Sequence, residues 1–311
     1  MTRIAAQLAE HGGDMAPATV LVMGATGAIG SALVDMLVPD HQEGRLRLVV
    51  ATRRPDAAAW LRERAVEVRR LDLDEAETAG LEAVRPAFAG VDRVFLVTGY
   101  DVRMLAQSKA AVDAAKAEGV SHLVHVGVSA AEDTTIVHFA WHQLVEAYIE
   151  RSGLGHTHLR PASFMQNLRL SVGAPGVLTH FVGEARPNWV DVSDIAEVAA
   201  TVLRDPGPHD GRAYDLAAEA ASLSEITELL GKVTGQPWRY EPAEPPAFYD
   251  NMVAAGADPV YMACVRNVFE RTRNGSLIEP DGVFGTIEAV AGRPATSLRE
   301  FLERNRELFS G

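Results

Sequence analysis

Three short groups of residues have the types and spacing to hold a phosphorylated ligand. The first is Gly24-Ala25-Thr26-Gly27-Ala28-Ile29-Gly30, which follows the apolar run Thr19–Met23 and leads into the helix-like segment from Ser31. In that setting the first glycine permits a tight turn, the second lets backbone N–H groups approach a pyrophosphate, and the third lets the helix pack closely. The helix N-terminus adds partial positive charge. The second group is Arg53-Arg54, at the end of the second apolar run. An NAD-selective site carries an acid there to bind the ribose hydroxyls, whereas a guanidinium pairs with a 2′-phosphate. Solvated arginines in a loop are the plainer alternative. Asp72 follows the third run, where such folds touch the adenine amino group or where an aspartate merely caps a helix. The third group, Thr98-Gly99, closes the fourth run, on the side where ligands of open parallel sheets bind. Together these residues point to NADP(H).

Other chemically capable residues read less sharply. His125, His156 and His158 fall within strand candidates. His156 and His158 alternate and so share a face, but no neighbouring carboxylate completes a ligand set, and no metal is expected. The pairs Glu132/Asp133 and Glu241/Glu244 are flanked by loop-like residues and read as solvated. The lone cysteine, Cys264, allows no intrachain disulfide and reads as core filler.

The elements that must position these groups are legible from periodicity. Between Ala18 and about Arg160, six apolar runs (TVLVM, LRLVVA, VEVRRL, VDRVFLV, SHLVHVGV and GHTHLR) alternate with helix-period segments at 31–38, 79–89, 104–118 and 139–152. That alternation is the mark of βαβ units, and runs so apolar suit a parallel sheet covered on both faces. The expected fold is a Rossmann-type doubly wound α/β sheet over residues 18–160. A smaller, mostly helical substrate region at 161–311 is interleaved with it and broken by proline-rich stretches at 205–208 and 241–246. Two helices there should begin at capping boxes, Ser222 with Glu225 and Ser297 with Glu300. Residues 1–17 read as a flexible tail or a short surface helix, and their His11-Gly12-Gly13-Asp14 interrupts any signal-peptide core.

Composition narrows the partners. The chain has 311 residues, 47% of them hydrophobic, and a formal net charge of -13, which repels nucleic-acid backbones and anionic membranes. No segment has the unbroken apolar length of a membrane span. A small-molecule substrate and a cytoplasmic location are the expectation, and association into a homo-oligomer stays open.

The chain resembles the NmrA-like group of atypical short-chain dehydrogenases/reductases, which includes triphenylmethane reductases, quinone reductases and relatives of isoflavone reductase. The resemblance lies in GATGAIG at 24–30, Arg53, Asp72-Leu73, VFLVTG at 94–99 and the long stretch HQLVEAYIERSGLGHTHLRPASFMQN from His142. It continues through WVDVSDIAEVAATVL at 189–203 and AGRPATSLREFL at 291–302. It implies that Pro161, Ser163 and Phe164 pass the nicotinamide face. Met165, Asn167, Phe181 and Trp189 then become candidates to wall a substrate pocket, although such residues also fill cores.

The resemblance also exposes a departure. Dehydrogenases of this superfamily use a Tyr-x-x-x-Lys pair and a serine at the end of the fifth strand. Here those positions fall on His138, His142 and a point near Gly127, with Ser129 two residues on. The two histidines are one helical turn apart on one face, and a histidine can act as an acid near neutrality; packing of the helix is the competing role. Quinones, conjugated enones, iminium ions and dyes accept hydride without a strong acid. An NADPH-dependent reductase of such acceptors is therefore the leading reading. A non-catalytic NADP(H)-sensing regulator and a redox-neutral isomerase that retains the nucleotide are the alternatives.

Overall fold

The computed structural model describes residues 16–277 and 282–309. The expected tail therefore lies outside the described residues except for Ala16 and Pro17. The chain opens with β1 (Thr19–Met23), α1 (Ala28–Gln42), β2 (Arg47–Thr52), β3 (Glu67–Arg70), α2 (Glu75–Ala79) and β4 (Arg93–Leu96). It goes on through α3 (Met104–Ala117), β5 (His122–Val126), α4 (Val137–Ser152) and β6 (Gly155–Pro161). All six apolar runs are strands. The helix expected at 79–89 is not one: it divides into the end of α2 and two 3-10 turns at 81–83 and 85–88. Gly80 takes φ +79 at the division, and Pro86 lacks an N–H to continue a ladder.

The second half has more strand than its proline-rich sequence suggests. It contains β7 (Ser163–Phe164), β8 (Val172–Ala174), β9 (Val177–His180), β10 (Asn188–Val190), α5 (Val192–Arg204), β11 (Arg212–Leu216) and β12 (Glu219–Ala220). Then come α6 (Leu223–Thr234), β13 (Arg239–Pro242), α7 (Pro245–Ala254), α8 (Pro259–Arg273), α9 (Thr286–Ala291) and α10 (Leu298–Arg304). Helices α6 and α10 begin at the expected capping boxes.

The main sheet has seven parallel strands in the order β11-β6-β5-β4-β1-β2-β3, the doubly wound Rossmann arrangement. Alternation along β1 divides the core. Val20 and Val22 face Leu33 and Leu37 of α1 and Ile195 and Val198 of α5, whereas Leu21 and Met23 face Ala111 of α3 and Val145 and Ile149 of α4. Burial on both faces explains why β1 reads as a continuous apolar run. Strand β11 and helix α5 return from the second half to complete this sheet and its cover. Residues around Leu168, Leu178, Trp189 and Phe301 form a third cluster under the two small sheets.

The motif around Asp191 ties distant segments of the second half to α5, the helix that covers the main sheet. Its carboxylate caps α5 by accepting from Ser193 N–H at 2.8 Å and also takes the Gln166 amide at 2.9 Å and the Arg304 guanidinium. Asp194, fully buried, accepts from the backbone and hydroxyl of Thr296 and from Arg293. Both carboxylates are met by donors, as buried charges must be, and the late AGRPAT segment serves the fold in this way.

Candidate dinucleotide site

A crevice of about 580 Å³ opens beyond the carboxyl ends of β1, β2 and β4. The strand order reverses between β1 and β4, and ligands of doubly wound sheets bind at such a switch point. Its floor is the glycine loop. Gly24 takes φ +67, and a Cβ there would lie 2.6 Å from a Val97 methyl. Gly30 is the tightest position, where a Cβ would stand 2.2 Å from the Gly24 carbonyl oxygen. The third glycine thus packs the helix against the loop itself.

Gly27 is the N-cap of α1 and has no side chain to satisfy the helix's first N–H groups, and no acidic residue occupies the first turn. Those donors and the helix dipole are left for an anion. Arg53 lines the same crevice, is exposed and has no ion pair among the described residues. Asp72 and Leu73 form the adjoining wall. Asp72 also accepts from Asp74 N–H at 3.2 Å, so its local turn-forming role and its crevice position coexist.

Of the other residues singled out in the sequence, Thr26, Ala28, Ile29, Thr98, Gly99, Phe164 and Asn167 lie on the crevice wall. Asn167 is held there by its neighbour. The Gln166 amide bridges the Asp191 carboxylate and the Val192 N–H, fixing the segment to the start of α5. Arg54 starts the turn after Arg53 and is not on the crevice wall, while Ser163 is exposed and Pro161 buried beside β11. Two candidate substrate residues sit in the core instead: Met165 is fully buried, and Trp189 is buried with its indole N–H donating to Ala221 O at 3.0 Å. Phe181 packs in an aromatic group with Phe248 and Phe269.

The three candidate catalytic groups are not brought to the crevice wall. Ser129 is buried, and its hydroxyl donates to Asp215 at 2.9 Å. His138 and His142 lie on the inner side of α4 with their Nδ1 atoms buried and unpartnered. Burial pushes both imidazoles down to about 4, with His142 adding to the effect at His138. Both are neutral at pH 7 and have no ionisable proton to give. Gly127 serves a different close approach, since a Cβ would fall 2.8 Å from a Glu146 carboxylate oxygen.

The histidine expectation needs a second correction. Glu146 lies with His125 and His158, and Glu150 with His156 and His158, each set having ligand atoms within 4.8 Å of one another. The carboxylates come from α4, which the sequence places twenty or more residues from His125 but which the fold lays directly over β5 and β6.

Tyr100 is one of the crevice residues that sequence reasoning missed, together with polar neighbours such as Asp101, Gln107 and Gln166. It follows Thr98-Gly99, is 68% exposed and meets Tyr261 of α8 edge-on at 5.8 Å between ring centres. Its position directly after a strand-end pair already assigned to the ligand was the available signal.

These features define a Rossmann protein with a dinucleotide-binding crevice. The NmrA-like family model matches residues 17–303, and the chain belongs to that family. An NAD(P)H azoreductase from Xenophilus azovorans is 31% identical over 298 residues, covering 93% of this chain and 99% of that one. Among solved structures, quinone oxidoreductase QOR2 of Escherichia coli with NADPH matches at TM-score 0.77 and 24% identity, covering 92% and 99% of the two chains. The Citrobacter sp. triphenylmethane reductase with NADP(H) matches at 0.75 and 24%, with the same coverage, a likeness of fold. No helix among the described residues is long and apolar enough to cross a membrane.

Proposed function

We infer that the chain is an NAD(P)H-dependent reductase, and that it favours NADPH and acts on a conjugated acceptor of the quinone, azo, iminium or cationic-dye type. The observation that carries this reading is the crevice wall. It offers an open helix N-terminus and an unpaired Arg53 to phosphates, but among the described residues it contains no histidine or lysine. Bound NADPH would supply a hydride. The glycine loop and the start of α1 would hold its pyrophosphate, Arg53 its 2′-phosphate, and Asp72 with Leu73 the adenine side.

The acceptor preference follows from what the wall lacks. Reducing a simple ketone produces an alkoxide that needs a placed acid, and forgoing that acid costs ~10²- to 10⁴-fold. A quinone or dye spreads the incoming charge over its own conjugated system. Tyr100 is the acidic hydroxyl on the wall, and a phenol stays protonated at neutral pH. It can therefore donate a hydrogen bond to an acceptor's oxygen or nitrogen as charge builds there.

The azoreductase and quinone oxidoreductase names of the relatives support the same class. The test is NADPH oxidation at 340 nm with a naphthoquinone, an azo dye, a triphenylmethane dye and a plain ketone. Turnover with a conjugated acceptor and none with the ketone is expected; NADPH binding without turnover on any acceptor overturns the reductase. The buried His138 and half-buried His142, both held neutral where an acid would stand, favour a second reading, a cofactor sensor. That reading requires strong discrimination between NADP⁺ and NADPH in binding, without turnover.

A further inference from the structure

We propose that Glu150, His156 and His158 form a site for a divalent cation of the zinc class, opening to solvent and separate from the dinucleotide crevice. His156 and His158 alternate along β6 and so project from one face of the sheet. Helix α4 lies over that face. It ends at Gly153, whose φ of +81 turns the chain back into β6 and sets the last helical turn, with Glu150, above the two rings. One ligand atom from each of the three residues lies within 4.8 Å of the others.

Each residue is prepared in a way that packing alone does not require. His158 is 2% exposed, yet neither ring nitrogen has a hydrogen-bond partner. A buried polar atom without a partner is costly, and such atoms call for an explanation such as an ion. Its Nε2 stands 3.7 Å from a Glu150 oxygen. That is too far for a hydrogen bond, but close to the span of about 3.3 Å between two tetrahedral ligands bound at zinc distances. The Nδ1 of His156 lies 3.1 Å from the Leu154 carbonyl oxygen. A carbonyl only accepts, so Nδ1 carries the hydrogen and the lone pair falls on Nε2. A backbone partner of this kind orients ligating imidazoles in metal sites.

Glu150 is half exposed and has no ion pair with lysine or arginine among the described residues, so its carboxylate is available and the site can be reached from solvent. Two imidazoles and one carboxylate with an open fourth position is a recurrent zinc ligand set and a poor one for magnesium. The inner group of His125, Glu146 and His158 is the weaker candidate. Glu146 is buried and already held by Arg160 at 2.6 Å, a positive charge that a cation would have to displace.

A bound cation would join the end of α4 to β6 in the folded chain alone. It would therefore raise the folding equilibrium by mass action, about 100-fold when the free metal is 100 times its dissociation constant. The test uses the full chain, stripped with EDTA and free of any histidine tag, titrated calorimetrically with Zn²⁺ and with Mg²⁺. One Zn²⁺ per chain is expected, with no Mg²⁺ heat and a higher melting temperature in Zn²⁺.

His156→Ala and Glu150→Gln alter residues that are not fully buried, so metal-free melting should match the parent. Each should weaken Zn²⁺ by at least ~10-fold, the lower end of what even supporting partners of metal ligands contribute. The proposal fails if the parent chain binds no Zn²⁺ or if both variants bind it as the parent does. It also fails if His125→Ala abolishes binding that Glu150→Gln preserves.

Discussion

Replacing Arg53 with alanine tests the cofactor assignment at a single charge. The guanidinium lines the crevice, is solvent-exposed and is not tied to any acid among the described residues, so its removal strands no buried partner. Two unit charges ~4 Å apart attract by about 1 kcal/mol in bulk water and about 4 kcal/mol in the dielectric near a protein surface. A hydrogen bond to a charged group contributes ~1.5–3 kcal/mol net. Exposure favours the lower part of that range, so Arg53→Ala should raise the NADPH dissociation constant ~10- to 100-fold, since each 1.4 kcal/mol is a factor of ten. NADH has no 2′-phosphate and should bind within ~3-fold of its parent value on the same scale. Arg54, one residue further and absent from the crevice wall, provides the control. Fluorescence titration of both cofactors against parent, Arg53→Ala and Arg54→Ala measures the difference. Higher salt should shrink it, because an exposed pair is screened over ~8 Å at physiological ionic strength. Equal weakening of NADPH and NADH, or a larger effect at Arg54, would refute the assignment.

Other consequences are open to equally direct measurement. Gly30→Ala places a Cβ 2.2 Å from the Gly24 carbonyl oxygen, so the loop must move. Such overpacking costs ~1–3 kcal/mol, and calorimetry should show both a lower melting temperature and weaker NADPH binding; unchanged binding would mean the loop is not the phosphate cradle. Tyr100→Phe should lower kcat/KM with a quinone ~10-fold, the loss of one hydrogen bond to developing charge, whereas His142→Ala should change it by under ~3-fold on the same scale. The reverse order would return the chemistry to α4. His138 and His142 sit near 4 when folded and near 6.5 when unfolded. The unfolded chain therefore binds more protons, and their contribution, full above about pH 6.5, is lost as pH falls through about 4. Each costs up to ~2 kcal/mol between pH 7 and pH 5; melting temperatures should fall over that range, less so in His138→Gln/His142→Gln, and a flat profile in the parent would contradict their burial.

Much of this was legible in the sequence because its signals are local. The central strands β1 and β5 are buried along their whole length, which imposes uninterrupted apolar runs, and the tightest contact of the glycine loop, Gly30 against Gly24, lies within seven residues. The capping boxes at Ser222 and Ser297 are equally local. Part of what stayed hidden depends on chain segments far apart. Strand β11, with the sequence RAYDL, is a largely exposed edge strand, and only its parallel pairing with β6 makes it part of the sheet. Trp189 and Met165 could wall a pocket or fill a core on pattern alone, and only the packing of β10 and α6 decides for the core. The carboxylates beside His156 and His158 were overlooked because they come from a helix rather than from the strand. Tyr100 was missed for another reason: its neighbours drew attention for their backbones, not their side chains.

The placement of α4 carries a consequence for the chemistry of the chain. In the dehydrogenases that the chain resembles, a tyrosine and a lysine one turn apart reach the crevice with a phenol and an ammonium, and the resemblance puts His138 and His142 at those positions. Imidazoles at those positions are shorter, and here they turn inward, where burial strips their charge. A charged lysine could not occupy the His142 position without paying the desolvation cost that drives His142 down to about 4. The substitution is thus consistent with the packing around it: His138 is buried and His142 half-buried, each with its Nδ1 atom shut away from solvent. Proton delivery must then come from solvent or from the one phenol on the wall, and that restricts the acceptors to those able to hold the hydride's charge until a proton arrives. The ketone arm of the acceptor panel addresses this directly. Turnover of an unconjugated ketone at rates comparable with a quinone would require an acid at the crevice that α4, as folded, does not supply.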